Sequence, residues 1–320
     1  MYAGASDQSA ARDAALPPLI VVVVNWNGRA LLDDCLGSLL ENGYDPLHII
    51  LVDNASGDDS VRYVEETFPA VEVMVAPENL RWAGGNNLVL RRLRVESRPG
   101  RYVLLLNNDT FVPEGSLQRL VAALVADQSA WAATPRVCYA HDPARIWYDG
   151  GRVGKYSGWI QHYGIRQLAG RRPLINRYVD YGTGCALLLD DRAVREVGEI
   201  DESYHFYGED TDYSLRIHAA GGKILHVPKA LILHKVSATL GSGSPRKAYL
   251  RSRSHIMLLR RHWPHRLWPG LLGGQLAYYG GLAAWHLWRG RWQTAYAALQ
   301  GALDELSSRR PDRWTARQGQ

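Results

Sequence analysis

Residues 19–24, LIVVVV, leave few structural options. A run of six apolar residues, five of them β-branched, is too short to span a membrane and has no polar face. It fits a strand buried on both sides of a sheet, and such a strand needs a layer above it and a layer below. The residues that follow supply one layer. Leu32, Cys35, Leu36, Leu39 and Leu40 recur at helical spacing, and Gly43 follows as a C-terminal stop. The alternation then repeats. HIILVD (48–53) is a second strand, and Val61, Val64 and Phe68 mark a helix ended by Pro69. VEVMV (71–75) is a third strand, from which a Gly-rich turn leads into an arginine-rich helix near 85–94. YVLLLN (102–107) is a fourth, and Pro113 opens a helix carrying Leu117, Leu120, Val121, Leu124 and Val125. Four strand–helix alternations predict an α/β fold, a mainly parallel sheet flanked by helices.

Beyond residue 131 the pattern turns irregular. YDGGRVGKYSGWIQHYG (148–164) reads as an ordered loop or small β excursion, and order returns with YGTGCALLLD (181–190), a helix at DRAVREVG and GEDTDYSLRIHAAGG (208–222). LGSGSP (240–245) reads as a hinge. The expected organisation is a loose leader at 1–18, two halves of one domain at 19–130 and 131–239, and a basic helical tail at 240–320. The leader lacks an apolar h-region. Three scattered cysteines, Cys35, Cys138 and Cys185, have no metal-type spacing and read as reduced thiols of a cytosolic protein. Charge is unevenly spread. Of 37 Lys and Arg and 32 Asp and Glu, 13 and 3 fall within 241–320, which leaves 24 and 29 before them. An acidic body with a basic tail points to an anionic partner for the tail.

Parallel sheets bind ligands at the carboxyl ends of their strands. The polar clusters NWNG, DNASGDD, ENLRWAGGNN and NNDT all fall there. Asp109 in NNDT is placed to hold a hard cation, since Mg²⁺ takes one or two protein carboxylates and fills its shell with phosphate and water. The same residues would also suit the turn before Pro113. Glu209, Asp210 and Asp212 crowd one helix start; capping explains one acid there, and a carboxylate near a metal–phosphate site is a candidate general base. His234 ends a strand, where it either completes a metal shell with Asp109 or is a satisfied surface residue. Asp53 can accept a hydrogen bond from a base or ribose, and Trp26 offers a face for stacking or is a rim residue. AGGNN (83–87) brings bare backbone to a helix start. The G-x-G-x-x-G and P-loop fingerprints are missing.

Taken in order, VVVVNWNG, IILVDNASGDDS, PENLRWAGGNN, LLLNNDTFVPEG, GTGCALLL, YGEDTDYSLRI and LILHKVSAT resemble the family-2 inverting glycosyltransferases of the GT-A fold, in particular a bacterial rhamnosyltransferase-like branch. The resemblance spans residues 19–239. It implies that Asn25, Trp26, Asn27 and Asp53 line the base pocket, and that Asn79, Gly85, Asn86 and Asn108 lie near the nucleotide. Asp109 and His234 would hold Mn²⁺ or Mg²⁺, and Asp210 would be the catalytic base. Glu209, Trp159 and Thr183 would be acceptor or supporting residues. The implied reaction moves a sugar, rhamnose being one candidate, from a UDP- or dTDP-linked donor to a hydroxyl of a glycan or lipid-linked acceptor. Asn107 stands where the family motif has its first aspartate, and Arg81 and Trp82 replace the glycine and phenylalanine usual in relatives.

Residues 267–288 carry no charge and are flanked by Arg260, Arg261, Arg266, Arg289 and Arg291. Five glycines and a proline make a poor spanning helix, and tryptophans at both ends suit a membrane interface. The readings left open are an interfacial segment within 246–291, a span, or soluble helices packed on the body. An interfacial segment implies a cytoplasmic protein peripheral to the inner face of the plasma membrane. The aromatics lie apart from the arginines, which argues against nucleic acid. Rival functions are a sugar nucleotidyltransferase, which would need a basic Gly-rich loop after the first strand, and a non-catalytic nucleotide-binding or membrane scaffold protein.

Overall fold

A computed structural model describes residues 16–96, 100–236 and 244–307. Most of the leader (1–15) and the start of the expected hinge (240–243) lie outside them. The first half alternates as expected: β1 (Leu19–Asn25), α1 (Arg29–Leu40), β2 (Leu47–Asp53), α2 (Ser60–Thr67), β3 (Glu72–Val75), α3 (Arg81–Glu96) and β4 (Tyr102–Asn107). Strands β3, β2, β1 and β4 lie side by side, all parallel. Residues of β1 alternate between two cores. Leu19, Val21 and Val23 face α1 and α4 (Ser116–Ala126), while Ile20 and Val22 face α3. Burial on both faces is why the run has no polar position.

Two local expectations shift. The glycine pair does not precede α3 but lies inside it, because the helix already starts at Arg81. A Cβ on Gly85 would come within 2.8 Å of Val24 Cγ1, so the glycine lets α3 lie directly on β1. Pro113 does not open α4 but precedes it by one turn, its carbonyl accepting from Ser116 N at 3.1 Å.

The second half is more regular than its sequence. After β5 (Thr110–Phe111), the stretch with no clear period contains a ten-residue strand, β6 (Ala130–Tyr139), and its hairpin partner β7 (Asp142–Tyr148). β8 (Gly151–Val153) and β9 (Ile160–His162) form the small β excursion. β10 (Arg177–Val179), β11 (Ala186–Asp190), α5 (Glu209–Ala219) and β12 (Lys223–His234) complete the body. The sheet runs β10-β12-β6-β11-β4-β1-β2-β3, with β5 on β12 and β7 on β6. β11 is antiparallel to both β4 and β6, so a parallel half continues into a mixed one.

Asp149, just past β7, pins this half together. Its fully buried carboxylate accepts from Arg136 Nε at 2.7 Å, Arg172 Nε at 3.0 Å, Arg177 Nη2 at 3.2 Å and His226 Nε2 at 3.1 Å. Burial alone would raise its pKa; the bonds from His226 and Arg136 outweigh burial and hold it well below the usual carboxylate range.

The tail forms α6 (Pro245–His262), α7 (Trp268–Trp288) and α8 (Trp292–Leu306). The core of the body runs on into Ile256, Leu258 and Leu259 of α6 and Leu271 and Tyr279 of α7. Gly301 brings α8 against the backbone of Tyr249, where no Cβ would fit. Among the described residues no helix is long and apolar enough to cross a membrane.

Candidate functional site

Register sets the edge of the site. Asn25 pairs with Asp53 across β1 and β2, and Val24 with Asn107 across β1 and β4. Three of the four polar clusters therefore surround the carboxyl ends of adjacent strands, and ENLRWAGGNN follows β3, the next strand out.

At the β1–β2 end the side chains hold one another. Asp53, 1% exposed, accepts from Ser56 N at 2.8 Å, Ser56 Oγ at 2.6 Å and Asn25 Nδ2 at 3.2 Å. A carboxylate has about four acceptor positions, so one is left for a ligand. Asn27 donates its N–H to Ser56 Oγ at 2.9 Å, and its Oδ1 accepts from Gly57 N at 2.7 Å. Asn108 Nδ2 donates to Asn25 Oδ1 at 2.8 Å, which ties this network to the β4 loop. Trp26 is half-buried. Ser56, in sequence only a turn residue, turns out to be the hub.

The residues at and before the start of α3 are engaged within the fold. Asn79 is exposed, and its Oδ1 accepts from Arg81 N at 2.9 Å, which fixes the turn into the helix. Gly85 and Asn86 do not reach the site surface. Gly85 packs on Val24, and Asn86, 1% exposed, donates to Trp82 O at 2.8 Å within α3. Trp82 packs its ring on Gly184, where a Cβ would come within 3.0 Å.

β12 pairs with β5 so that His234 faces Thr110. That register brings His234 Nε2 to 3.0 Å from Asp109 Oδ1, both residues largely buried. Trp147 stands edge-on to His234, ring centroids 4.6 Å apart, and His234 Nδ1 is buried without a hydrogen-bond partner. Burial disfavours the imidazolium, but Cys185 and Asp109 beside it carry the pKa up to about 10. As paired here His234 is an imidazolium donating to Asp109, and a hard cation held by the two, its shell completed by phosphate and water, would displace that proton. Among the described residues no cluster of three or more His, Cys, Asp or Glu forms a fuller cage.

The acids of α5 separate into three roles. Asp212 is buried and structural: Arg216 Nε at 2.8 Å, His262 Nε2 at 2.8 Å and Tyr204 OH at 3.3 Å use its carboxylate to tie α5 to α6. Glu209 has an Oε2 shut off from solvent with no partner, and burial, then repulsion from Asp210, pushes its pKa up to about 8. It therefore holds a proton at neutral pH. Asp210 is aimed by backbone: Gly184 N donates to Oδ2 at 2.9 Å and Thr211 N to Oδ1 at 2.7 Å. Thr183 is buried, its Oγ1 accepting from Cys185 N at 3.3 Å, and so shapes the loop that presents Gly184. Trp159 is exposed between β8 and β9, its ring 5.2 Å from that of Tyr278 on α7. Sequence reasoning missed the Gly184 N–H that holds Asp210. The GTGC motif was the only signal for it.

Comparisons with known proteins agree with this architecture. The glycosyl transferase family 2 model matches residues 20–194. An N-acetylglucosaminyl-diphospho-decaprenol L-rhamnosyltransferase of Mycobacterium tuberculosis is 26% identical over 268 residues, covering 76% of this chain and 85% of the relative. A crystal structure of GalNAc-T7 with UDP, GalNAc and Mn²⁺ superposes with a TM-score of 0.61 at 17% identity, covering 79% of this chain and 49% of that one. The mannosyltransferase PcManGT from Pyrobaculum calidifontis, in complex with GDP-Man and Mn²⁺, gives 0.58 at 16% identity, covering 92% and 88%. The two structures bear on the fold, which is that of the GT-A glycosyltransferases. With more than half its length matched by the family model, the chain belongs to glycosyltransferase family 2.

Proposed function

We propose that this glycosyltransferase moves a sugar from a UDP- or dTDP-linked donor to a hydroxyl of a glycan or lipid-linked acceptor, by a single displacement that inverts the anomeric carbon. The observation that carries the reading is the Asp210 carboxylate, fixed by two backbone N–H groups beside a glutamate that burial keeps protonated. Asp210 takes the proton of the acceptor hydroxyl as its oxygen attacks. Asp53 accepts from the base or ribose through its remaining lone pair, and Asn25 and Ser56 hold it in place. Asp109 and His234 are the residues that would hold Mn²⁺ or Mg²⁺, whose chemistry is to neutralise the charge growing on the leaving diphosphate. The name of the mycobacterial relative specifies L-rhamnose and a diphospholipid-linked acceptor, which makes a dTDP-linked deoxysugar the first donor to test.

We also assign the outer face of the tail to an anionic membrane surface, which makes the enzyme peripheral at the inner face of the plasma membrane. Leu276, Trp285, Leu287 and Trp288 of α7 and Trp292, Tyr296, Leu299 and Leu303 of α8 are all exposed. Arg266, Arg289 and Arg291 flank them. Aromatic and apolar groups bordered by cations match an interfacial segment on anionic lipid.

Calorimetric titration with UDP and dTDP, each with and without Mn²⁺, tests the enzyme. Metal-dependent binding of one nucleotide, lost in Asp109→Ala, is expected; binding of neither overturns the assignment. Co-sedimentation with phosphatidylglycerol vesicles at low salt tests the tail, and no pelleting overturns that part.

A further inference from the structure

The start of α6 gathers positive charge that no ion pair among the described residues takes up. Arg246, Lys247 and Arg251 make no ion pair among the described residues, whereas Arg253 and Arg260 of the same helix face Glu305, and Arg261 faces Asp201. Lys247 and Arg251 stand one helical turn apart, a spacing at which like charges repel. Both face the ring of Tyr207, Lys247 Nζ at 5.9 Å and Arg251 Cζ at 5.6 Å from its centroid. Burial and then Arg251 lower the Lys247 pKa. Arg246 Nε is shut off from solvent with no hydrogen-bond partner. Positive charge surrounds His205 as well: burial, then Arg81, Arg253 and Arg246, push its pKa down to about 4, so it adds no charge of its own.

Cations packed together with a donor left empty are costly unless an anion joins them. The cluster sits beside the base. Tyr207 is separated from Asp210 by only Gly208 and Glu209, and Ser254 of α6 donates to Phe206 O at 2.9 Å. His162 and Tyr181 feel the charges of both Asp210 and Arg251. In an inverting displacement the nucleophile and the leaving group occupy opposite sides of the reacting carbon. A cation cluster next to the base is therefore on the acceptor's side.

We propose that Arg246, Lys247 and Arg251, around Tyr207, bind a phosphate or diphosphate group carried by the acceptor. The inference rests on Asp210 being the base, and it deepens that reading by giving the acceptor a charge. The guanidinium and ammonium groups donate to the phosphate oxygens, and both long side chains lie against the Tyr207 ring.

The probe is inorganic pyrophosphate, titrated calorimetrically into the full chain in EDTA, with no turnover involved. Binding should weaken steeply with salt and fall by about tenfold or more in Lys247→Gln/Arg251→Gln. Arg251→Lys keeps the charge and should keep most of the affinity. An equal loss in that variant would show that packing and not charge is at stake, and would overturn the proposal. Unchanged binding in the double variant, or none in the wild type, would overturn it too. UDP affinity with Mn²⁺ should be the same in wild type and double variant; a matching fall there would assign the cluster to the leaving nucleotide and end the acceptor reading. Because the enzyme reading fails by a different result, absence of any UDP or dTDP binding, the two failures are distinguishable.

Discussion

The two sides of the active edge are built on opposite plans. At the β1–β2 end, Asn25, Asn27, Asp53, Ser56 and Asn108 have their polar groups bonded to one another. On the α5–α6 side, Glu209 Oε2 and Arg246 Nε have no hydrogen-bond partner, and Arg246, Lys247 and Arg251 make no ion pair among the described residues. A satisfied network is rigid before any ligand arrives and can read a nucleotide by shape. An unsatisfied one is held open by the surrounding fold, and relief of its unpaired groups adds to the affinity for what enters. Shape selectivity for a nucleotide is therefore expected on the first side, and affinity for a charged ligand on the second.

The largest effect belongs to Asp210→Asn, expected to lower turnover by about 10²–10⁴-fold while nucleotide binding stays intact, read by steady-state rates beside calorimetry. Near-normal turnover would remove the base from the scheme. Asp149→Ala should cost ~3–5 kcal/mol in denaturant unfolding, since it strands the buried Arg136. That would show that the second half, despite its open site, is clamped from behind. Asn25→Ala strips a partner from both Asp53 and Asn108 and should cost ~1–3 kcal/mol of stability, with nucleotide affinity falling in the same titration.

The smallest effect is expected from Glu209→Gln, which should leave turnover at neutral pH close to wild type, because the glutamate is already protonated there. Its signature is in stability. The folded pKa of about 8 lies above that of an unfolded glutamate, so between those values the native state holds the proton more tightly than the unfolded state. Stability contributed by this group is thus full at acidic pH and declines up to about pH 8. Chemical denaturation across that range should show the decline in wild type and its loss in the variant.

Much of the parallel half was legible because its signals are local. Short apolar runs ended by polar clusters locate both the strands and the edge at which the polar clusters gather. The second half hid its order, since β6 contains Pro135 and a charged Arg136, which break any period-two pattern. Arg136 is tolerated only because Asp149 meets it after the chain has turned back. The same limit applies to the acids of α5. Asp210 and Asp212 look equivalent in sequence, and Asp212 declares itself structural through His262, fifty residues away. Tyr207 opens the YGEDTDYSLRI motif but gave no signal of a basic neighbourhood, since Lys247 and Arg251 come from the tail.

One contact in that tail has a mechanical meaning. At Gly301 helix α8 touches the backbone of Tyr249 with no side chain between, so there is no compliant layer to absorb a displacement. Helices α6 and α8 act there as a single strut. If the proposed membrane contact holds, a load on Trp292, Tyr296 and Leu303 would pass through that strut to Lys247 and Arg251, and the height of the molecule on the surface would become a coordinate of the proposed acceptor site.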